Sequence, residues 1–319
     1  MPTETEWKVG TIIRKLREEQ KITLEELSFG LCSPTTLSRI ENGEREMKVI
    51  FFSALFERLG YYPDGFELYV GEKEYRRYEQ RRNMKKLERN RKFSEIKDLL
   101  QKYKAEWNDE IRMESLEQQF VKSMQGYICL YNNQFQEGLE ILEEAILLTV
   151  PSWCKEQDIH YVAGERELYI MARIADSYEG MERKSEAYAI RKKICYYLIK
   201  RGLDLEEILQ LYTGIVCRQV PQMIQTKEIQ NALVFIQNAE NALARRGRLY
   251  NWGEILYLKG QCYQELYKSG ACSKLQIIEI YRRSYYAFRL LDNLQMSEYV
   301  KQILDEEAPG WEHIKLDKL

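Results

Sequence analysis

Between Ser33 and Lys48 the chain concentrates side chains that donate hydrogen bonds: Thr35, Thr36, Ser38, Arg39, Arg45 and Lys48. A guanidinium such as that of Arg39 pairs bidentately with the O6 and N7 edge of guanine, a contact worth about 1–3 kcal/mol of discrimination between bases. Hydroxyls donate to base edges or to phosphate oxygens, and cations such as Arg45 and Lys48 anchor on phosphates. This is recognition chemistry. The groups that bond-making chemistry needs are scarce. His160 and His313 are the two histidines, and no glycine-rich phosphate loop, H-E-x-x-H or G-x-S-x-G pattern occurs. Among 50 acidic residues no spacing singles out an acid–base pair. The reading is of a protein that is not an enzyme, with no cofactor and no metal site.

The elements that would position these donors are short helices. Val9, Ile12, Ile13 and Leu16 recur at helical spacing. Thr23 then offers an N-cap, and Glu26 three residues later completes a capping-box pattern, ahead of Leu24, Leu27 and Leu31 on one side of a second helix. Ser33 followed by Pro34 opens a third helix, which stops at Gly43; a fourth covers about residues 49–59 and ends at Gly60. On the third helix Leu37 and Ile40 face a small core, leaving Thr35, Thr36 and Arg39 on the outer flank. Two short helices joined by a tight turn, with helices before and after, describe a helix-turn-helix domain over residues 1–66.

After Pro63-Asp64-Gly65 the texture changes. Residues 72–92 hold ten basic side chains (Lys73, Arg76, Arg77, Arg81, Arg82, Lys85, Lys86, Arg89, Arg91 and Lys92) against Glu72, Glu74, Glu79 and Glu88. Residues 67–92 therefore read as a basic linker helix, either lying near DNA phosphates or presenting a solvated face. From residue 93 the pattern is helix after helix, at roughly 94–107, 109–132, 135–149, 158–180, 183–201, 204–218, 226–246, 249–268, 274–292 and 297–307, with 309–319 as a tail. The expected fold class is all-α.

A small residue followed three positions later by Tyr or Cys recurs at Gly126/Cys129, Ala175/Tyr178, Gly214/Cys217 and Gly260/Tyr263. These segments are similar to degenerate tetratricopeptide repeats, although Arg191 stands where an apolar residue is expected and the spacing exceeds the usual ~34 residues. Stacked helix pairs bury their apolar faces against neighbours and leave a concave groove, so residues 93–308 read as a sensor and dimerisation domain. By that register Tyr127, Tyr131, Tyr169, Asp176, Ile215, Arg218, Gln261 and Gln264 point into the groove, and Arg218 or Arg173 could hold a carboxylate. The other reading of the tyrosines is packing between helices.

The segment Leu37-Ser38-Arg39-Ile40-Glu41-Asn42-Gly43, with Ser33-Pro34-Thr35-Thr36 before it, resembles the phage-repressor-like, XRE-type helix-turn-helix family. Together with the repeats that follow, the chain looks like the Rgg/PlcR/PrgX (RRNPP) group of regulators. That resemblance implies a dimeric transcription regulator of the quorum-sensing type, whose repeat domain binds a short signalling peptide. It also implies a buried ion pair between Arg17 and Glu41. Pro34 and Leu24 stand where family members often carry glutamine, which removes two polar contacts to DNA.

The seven cysteines are scattered and form no C-x-x-C pair, which argues against a disulfide framework or a zinc site. The first residues lack a signal peptide's features, and no run approaches the ~18 apolar residues of a membrane span. A cytoplasmic, homodimeric regulator bound to an operator is the expectation. Two alternatives stay open: an interaction adaptor whose helix-turn-helix does not bind DNA, and a regulator sensing a small molecule.

Overall fold

The computed structural model describes residues 9–61, 71–89, 92–155, 157–159, 161–202 and 206–313. Pro63-Asp64-Gly65, Arg91, His160, residues 314–319 and the side chain of Arg89 lie outside that description. Every regular element among the described residues is helical. The first four are α1 (Val9–Glu19), α2 (Leu24–Ser28), α3 (Pro34–Glu41) and α4 (Val49–Leu59). Their ends are set locally. Thr23 Oγ1 accepts from the Glu26 N–H at 3.1 Å while the Glu26 carboxylate accepts from the Thr23 N–H at 2.7 Å, a complete capping box. Ser33 caps α3 through the Thr36 N–H, and Pro34 occupies the first helical position, where no donor is lost. Gly60 ends α4 in the left-handed conformation, φ 80°.

These helices enclose a core of Ile13, Ile22, Leu27, Leu37, Ile40, Phe52, Leu55, Phe56 and Leu59. A Cβ on Gly10 would lie 1.9 Å from the Ile40 carbonyl oxygen, so α1 and α3 meet backbone to backbone. Val162, a hundred residues further along the chain, belongs to the same core.

The remaining helices are α5 (Glu72–Arg89), α6 (Phe93–Glu106), α7 (Asn108–Met113), α8 (Ser115–Tyr131), α9 (Phe135–Leu147), α10 (Glu165–Gly180), α11 (Lys184–Arg201), α12 (Glu206–Gln225), α13 (Ile229–Arg246), α14 (Trp252–Lys268), α15 (Lys274–Leu290) and α16 (Leu294–Glu307). Beyond shifts of one to three residues at other helix ends, three departures from the helices read in the sequence have a clear local cause. The helix expected over 109–132 is divided at Glu114, whose extended backbone (φ −122°, ψ 114°) ends α7 and starts α8. The helix expected from 158 begins at Glu165, because the Glu167 carboxylate accepts from the Gly164 N–H at 2.8 Å and fixes the start there. And α12 runs through Pro221 to Gln225: the missing proline N–H removes one bond near the helix end, where packing of Val220 and Met223 compensates.

Four of the helix pairs share one turn. Asn133, Glu182, Lys227 and Asp292 adopt φ values of 59°, 60°, 63° and 54°. The next residue's N–H then donates to the carbonyl five back: Gln134 to Cys129, Arg183 to Tyr178, Glu228 to Met223 and Asn293 to Phe288, at 2.8–2.9 Å. This is the six-to-one bond of a Schellman ending, carried here by residues other than glycine. Gly126 and Gly260 are true close-approach positions, since a Cβ would meet Leu142 Cγ at 2.6 Å and Tyr281 Cε1 at 2.5 Å. Gly214, at the matching place in α12, faces open space.

By its contacts the chain divides into two compact units inside α11, residues 1–194 and 195–319. In the first unit a second core gathers Met84, Leu87, Ile96, Leu100, Tyr103, Phe120, Val121 and Met124 from α5, α6 and α8 with Trp107 from the joint between α6 and α7. In the other, Ile277, Ile278, Tyr281, Phe288, Val300 and Leu304 are closed by Trp311 on a short 3-10 turn. Trp311 is buried and donates Nε1–H to Asp305 at 2.8 Å, so the start of the expected tail is part of the fold.

Candidate nucleic-acid interface and sensor residues

The inner side of α3 is fixed by Leu37 and Ile40, which are 0% and 3% exposed. Thr35 and Arg39 are exposed on the other flank, with Ser38 and Thr36 half-buried. Thr36 is partly engaged, because its hydroxyl accepts from Ser33 Oγ at 3.0 Å. Beyond the helix Arg45 is exposed, whereas the Lys48 ammonium sits 2.6 Å from Glu114 Oε1. The helix is steadied from behind by Arg17 and Glu41, joined fork to fork at 2.7 and 2.9 Å, with the third guanidinium nitrogen donating to the Ile22 carbonyl at 3.0 Å. The bond to Glu41 pushes the Arg17 pKa above its ordinary value against the opposing effect of burial. The pair implied by family resemblance is therefore present, and it is structural.

Through α4 and the 27–32 segment the domain is fastened to the helical body. Arg58, 1% exposed, donates to the carbonyls of Leu27 and Phe29 at 3.0 and 2.6 Å and to Glu167 Oε1 at 2.6 Å. The Thr149 hydroxyl donates to the same carboxylate at 2.7 Å and accepts from Gln119 Nε2 at 2.6 Å. Gly30, at φ 68°, lies so near Thr149 that a Cβ would fall 1.9 Å from its carbonyl oxygen. The Phe29 and Tyr161 rings stack at 5.5 Å. Nothing in the sequence marks Arg58 for this: in the last turn of an amphipathic helix an arginine reads as a solvated charge.

The basic helix α5 is not a uniformly solvated face, although Lys73, Arg76, Arg82 and Lys86 are exposed. Arg77 and Arg81 are buried, bonded to Glu74 and Glu117 respectively, and Arg77 also faces Glu114. Lys85 lies 2.8 Å from Glu57 and 3.8 Å from Glu165. Burial opposes the charge on Lys85, yet Glu165 and Glu57 raise its pKa above the ordinary lysine value. Lys73 and Arg76, more exposed, pair with Glu110 and Glu106 at 2.6 and 3.0 Å. Most of the described positive charge is thus neutralised by carboxylates from α4, α6, α7, α8 and α10, which composition over a 21-residue window cannot reveal.

Of the candidate sensor residues, the first unit brings four together. The Arg173 guanidinium lies 3.5 Å from the Tyr127 ring centre and 5.9 Å from that of Tyr169. Phe93, which the sequence reading missed, stacks on Tyr131 at 3.8 Å and tilts against Tyr127 at 5.1 Å. Tyr131 remains 57% exposed. Beneath this face Glu88 holds Arg173 at 2.8 Å and Arg166 at 3.3 Å, and the Tyr127 hydroxyl donates to the Glu88 carbonyl at 3.1 Å. Asp176 bonds to buried Arg191 at 2.7 Å, and Glu179 also pairs with it, so the charge at the position expected to be apolar is balanced.

In the second unit Arg218 is exposed, but Ile215 is 4% exposed and belongs to the core, not to an open face. Gln261 donates to the Tyr257 hydroxyl and Gln264 accepts from the Tyr281 hydroxyl, both at 2.8 Å. Among the described residues no helix is long and apolar enough to cross a membrane, and no group of His, Cys, Asp or Glu is placed to hold a metal ion.

A family model described as Helix-turn-helix matches residues 13–66. No curated protein matches the chain. Among solved structures the chain is similar to PlcR of Bacillus thuringiensis, solved in complex with the peptide PapR7 and DNA, at 17% identity and a TM-score of 0.51, covering 92% of this chain and 98% of that one. The apo form of the same PlcR gives 17% identity and a TM-score of 0.52 over 92% and 98% of the two chains. ComR from S. thermophilus, solved with DNA and its signalling peptide ComS, follows at 15% identity and a TM-score of 0.44, covering 94% and 99%. The N-terminal domain is thus a helix-turn-helix domain, and the chain has the fold of PlcR.

Proposed function

We propose that this protein is a sequence-specific DNA-binding transcription regulator whose helical body binds a short signalling peptide. The carrying observation is the exposed flank of α3, where Thr35 and Arg39 stand clear of a core that fixes Leu37, Ile40 and Glu41. A helix held this way enters the major groove with its first turns against base edges. Arg39 reads a base, Thr35 and Ser38 assist, Thr36 contributes what its cap bond leaves free, and Arg45 with Lys48 anchors phosphates. Two copies reading half-sites about 34–36 Å apart make a homodimer the working form.

The peptide reading is supported by the fold shared with PlcR, which was solved with a peptide and DNA, and by the face of Tyr127, Tyr131, Tyr169 and Arg173. Flat rings and a guanidinium suit a peptide, which offers one backbone donor and one acceptor per residue plus a terminal carboxylate. The test is selection of bound duplexes from a random-sequence pool by the purified full-length chain, at low and moderate salt, with and without a pooled library of short synthetic peptides. Enrichment of one sequence motif, altered by peptide, is expected. Failure to retain any duplex at low salt would favour the adaptor reading instead.

A further inference from the structure

The first nine residues of α10 bond both to α4 of the DNA-binding domain and to α5, the helix that follows it. Glu165 faces Lys85 of α5 at 3.8 Å. Arg166 holds Glu88, also of α5, at 3.3 Å. Glu167 holds Arg58 of α4 at 2.6 Å. Arg173, two turns further along, holds Glu88 at 2.8 Å while covering the Tyr127 ring. Lys85 closes the circuit by bonding to Glu57, the neighbour of Arg58, at 2.8 Å. One helix therefore presents a continuous seam of charged contacts that begins at the aromatic face and ends at the back of the helix-turn-helix domain.

Buried charge pairs of this kind add little net stability, because desolvation offsets the attraction, but losing one partner is severe. Their contribution is geometric: each demands one arrangement and punishes others. Apolar packing at the same places would let the domain slide. The seam has discrete bonds to break, which is what a two-state coupling element needs.

We propose that this seam is the coupler through which occupancy of the Tyr127–Arg173 face is felt at the DNA-binding helices. The proposal rests on the peptide-controlled reading above and names its route. A ligand group that draws Arg173 off Glu88 leaves that carboxylate to Arg166 alone. Arg166 and Glu88 then shift together, α10 and α5 move apart at Lys85–Glu165, and the Glu57–Arg58 corner of α4 loses its fixed seat. Arg173, Arg166, Glu165 and Glu167 are positioning residues in this scheme; none touches DNA.

The test needs no identified peptide, because substitution at Arg173 mimics its withdrawal. Amide hydrogen exchange is measured on the full chain for wild type, Arg173→Met, Glu167→Gln and the double variant, with Arg173→Lys as the charge-keeping control. Arg173→Met should speed exchange in α4 (49–59) and in 27–32 by at least about fivefold, while the same change in the Glu167→Gln background adds less than about twofold, since the route is already cut. Arg173→Lys should return α4 to within about twofold of wild type. Faster exchange confined to α5, α8 and α10 would overturn the proposal, as would effects that multiply independently in the double variant. Should Arg173→Met fail to fold, Arg173→Gln, which removes the charge that Glu88 holds but keeps a hydrogen-bonding end, serves in its place with the same expected pattern. Coupled exchange in a protein that selects no duplex would leave the seam standing and sink the DNA reading; additive exchange in a protein that does select one would do the reverse.

Discussion

The Lys48 ammonium and the Glu114 carboxylate stand 2.6 Å apart, joining the residue in front of α4 to the residue in front of α8. Lys48 is 64% exposed along its side chain, so the bond is weak and easily exchanged for a phosphate. A duplex that reaches Lys48 must displace Glu114. Glu114→Gln should therefore tighten binding to a selected duplex by up to about fivefold, the range of an exposed ion pair of ~0.2–1 kcal/mol. Fluorescence anisotropy across a salt series checks it, and an unchanged affinity would place Lys48 away from the DNA.

Arg39→Ala should weaken the selected duplex by about 1–3 kcal/mol and relax selectivity at one base position. Arg39→Lys should not restore that position, because an ammonium lacks the two-pronged fork. Competition with single-base variants of the duplex reads both effects. A loss equal across all sequences, with the salt slope reduced by about one, would mean that Arg39 meets a phosphate instead.

Glu41→Ala leaves the Arg17 guanidinium without its carboxylate in a largely buried place. It should cost about 3–5 kcal/mol, whereas the joint replacement Arg17→Met/Glu41→Leu should recover most of the loss. Urea unfolding with linear extrapolation distinguishes them. Equal losses in both variants would show that the pair's shape, not its charge balance, is what the domain requires.

Gly30→Ala and Gly60→Ala make a matched comparison, since both glycines have positive φ, 68° and 80°. At Gly60 the new methyl meets nothing within 4 Å, so only the left-handed backbone cost of about 1–2 kcal/mol applies. At Gly30 it runs into the Thr149 carbonyl, and the loss of Tm should be clearly larger. Similar losses would mean that residue 30 can draw back from the body without consequence.

Acid should weaken the α5–α10 contact in a defined sense. Burial works against the Glu88 carboxylate, but Arg173 and Arg166 prevail and hold its pKa below the ordinary value. A depressed carboxylate contributes stability above the unfolded pKa of about 4.3 and loses it as pH falls through the lower folded value. The stability gap between wild type and Glu88→Gln should thus be full near neutrality and close progressively below about pH 4.3. Glu117 works in the opposite direction: burial raises its pKa despite Arg81, so its charge is a liability that acid relieves. Urea midpoints measured over a pH series for both proteins follow the gap; one that persisted undiminished in acid would contradict the sign.

What the sequence discloses is local. Thr23 with Glu26, Ser33 with Pro34 and the glycine after α4 announce helix ends because each bond they make spans three residues or so. Leu37 and Ile40 against Arg39 announce the faces of α3 for the same reason. Arg81 and Lys85 could not be read this way, since their partners Glu117, Glu57 and Glu165 lie 28 to 80 residues off. Arg58 and Phe93 went unnoticed on the same ground. The helix pairs were visible through Gly126 and Gly260, yet Gly214 shows that a matching small residue can sit where nothing approaches.

The shared turn at Asn133, Glu182, Lys227 and Asp292 limits how such a chain can change length. One residue inserted between Asn133 and Phe135 would rotate α9 by about 100° against α8, swinging Leu139, Leu142 and Ala145 out toward water. The same insertion beside Ser152, an exposed residue outside any helix, has no helix phase to disturb and can be taken up as slack. A change of length is therefore borne by the joints between pairs and not by the turns within them.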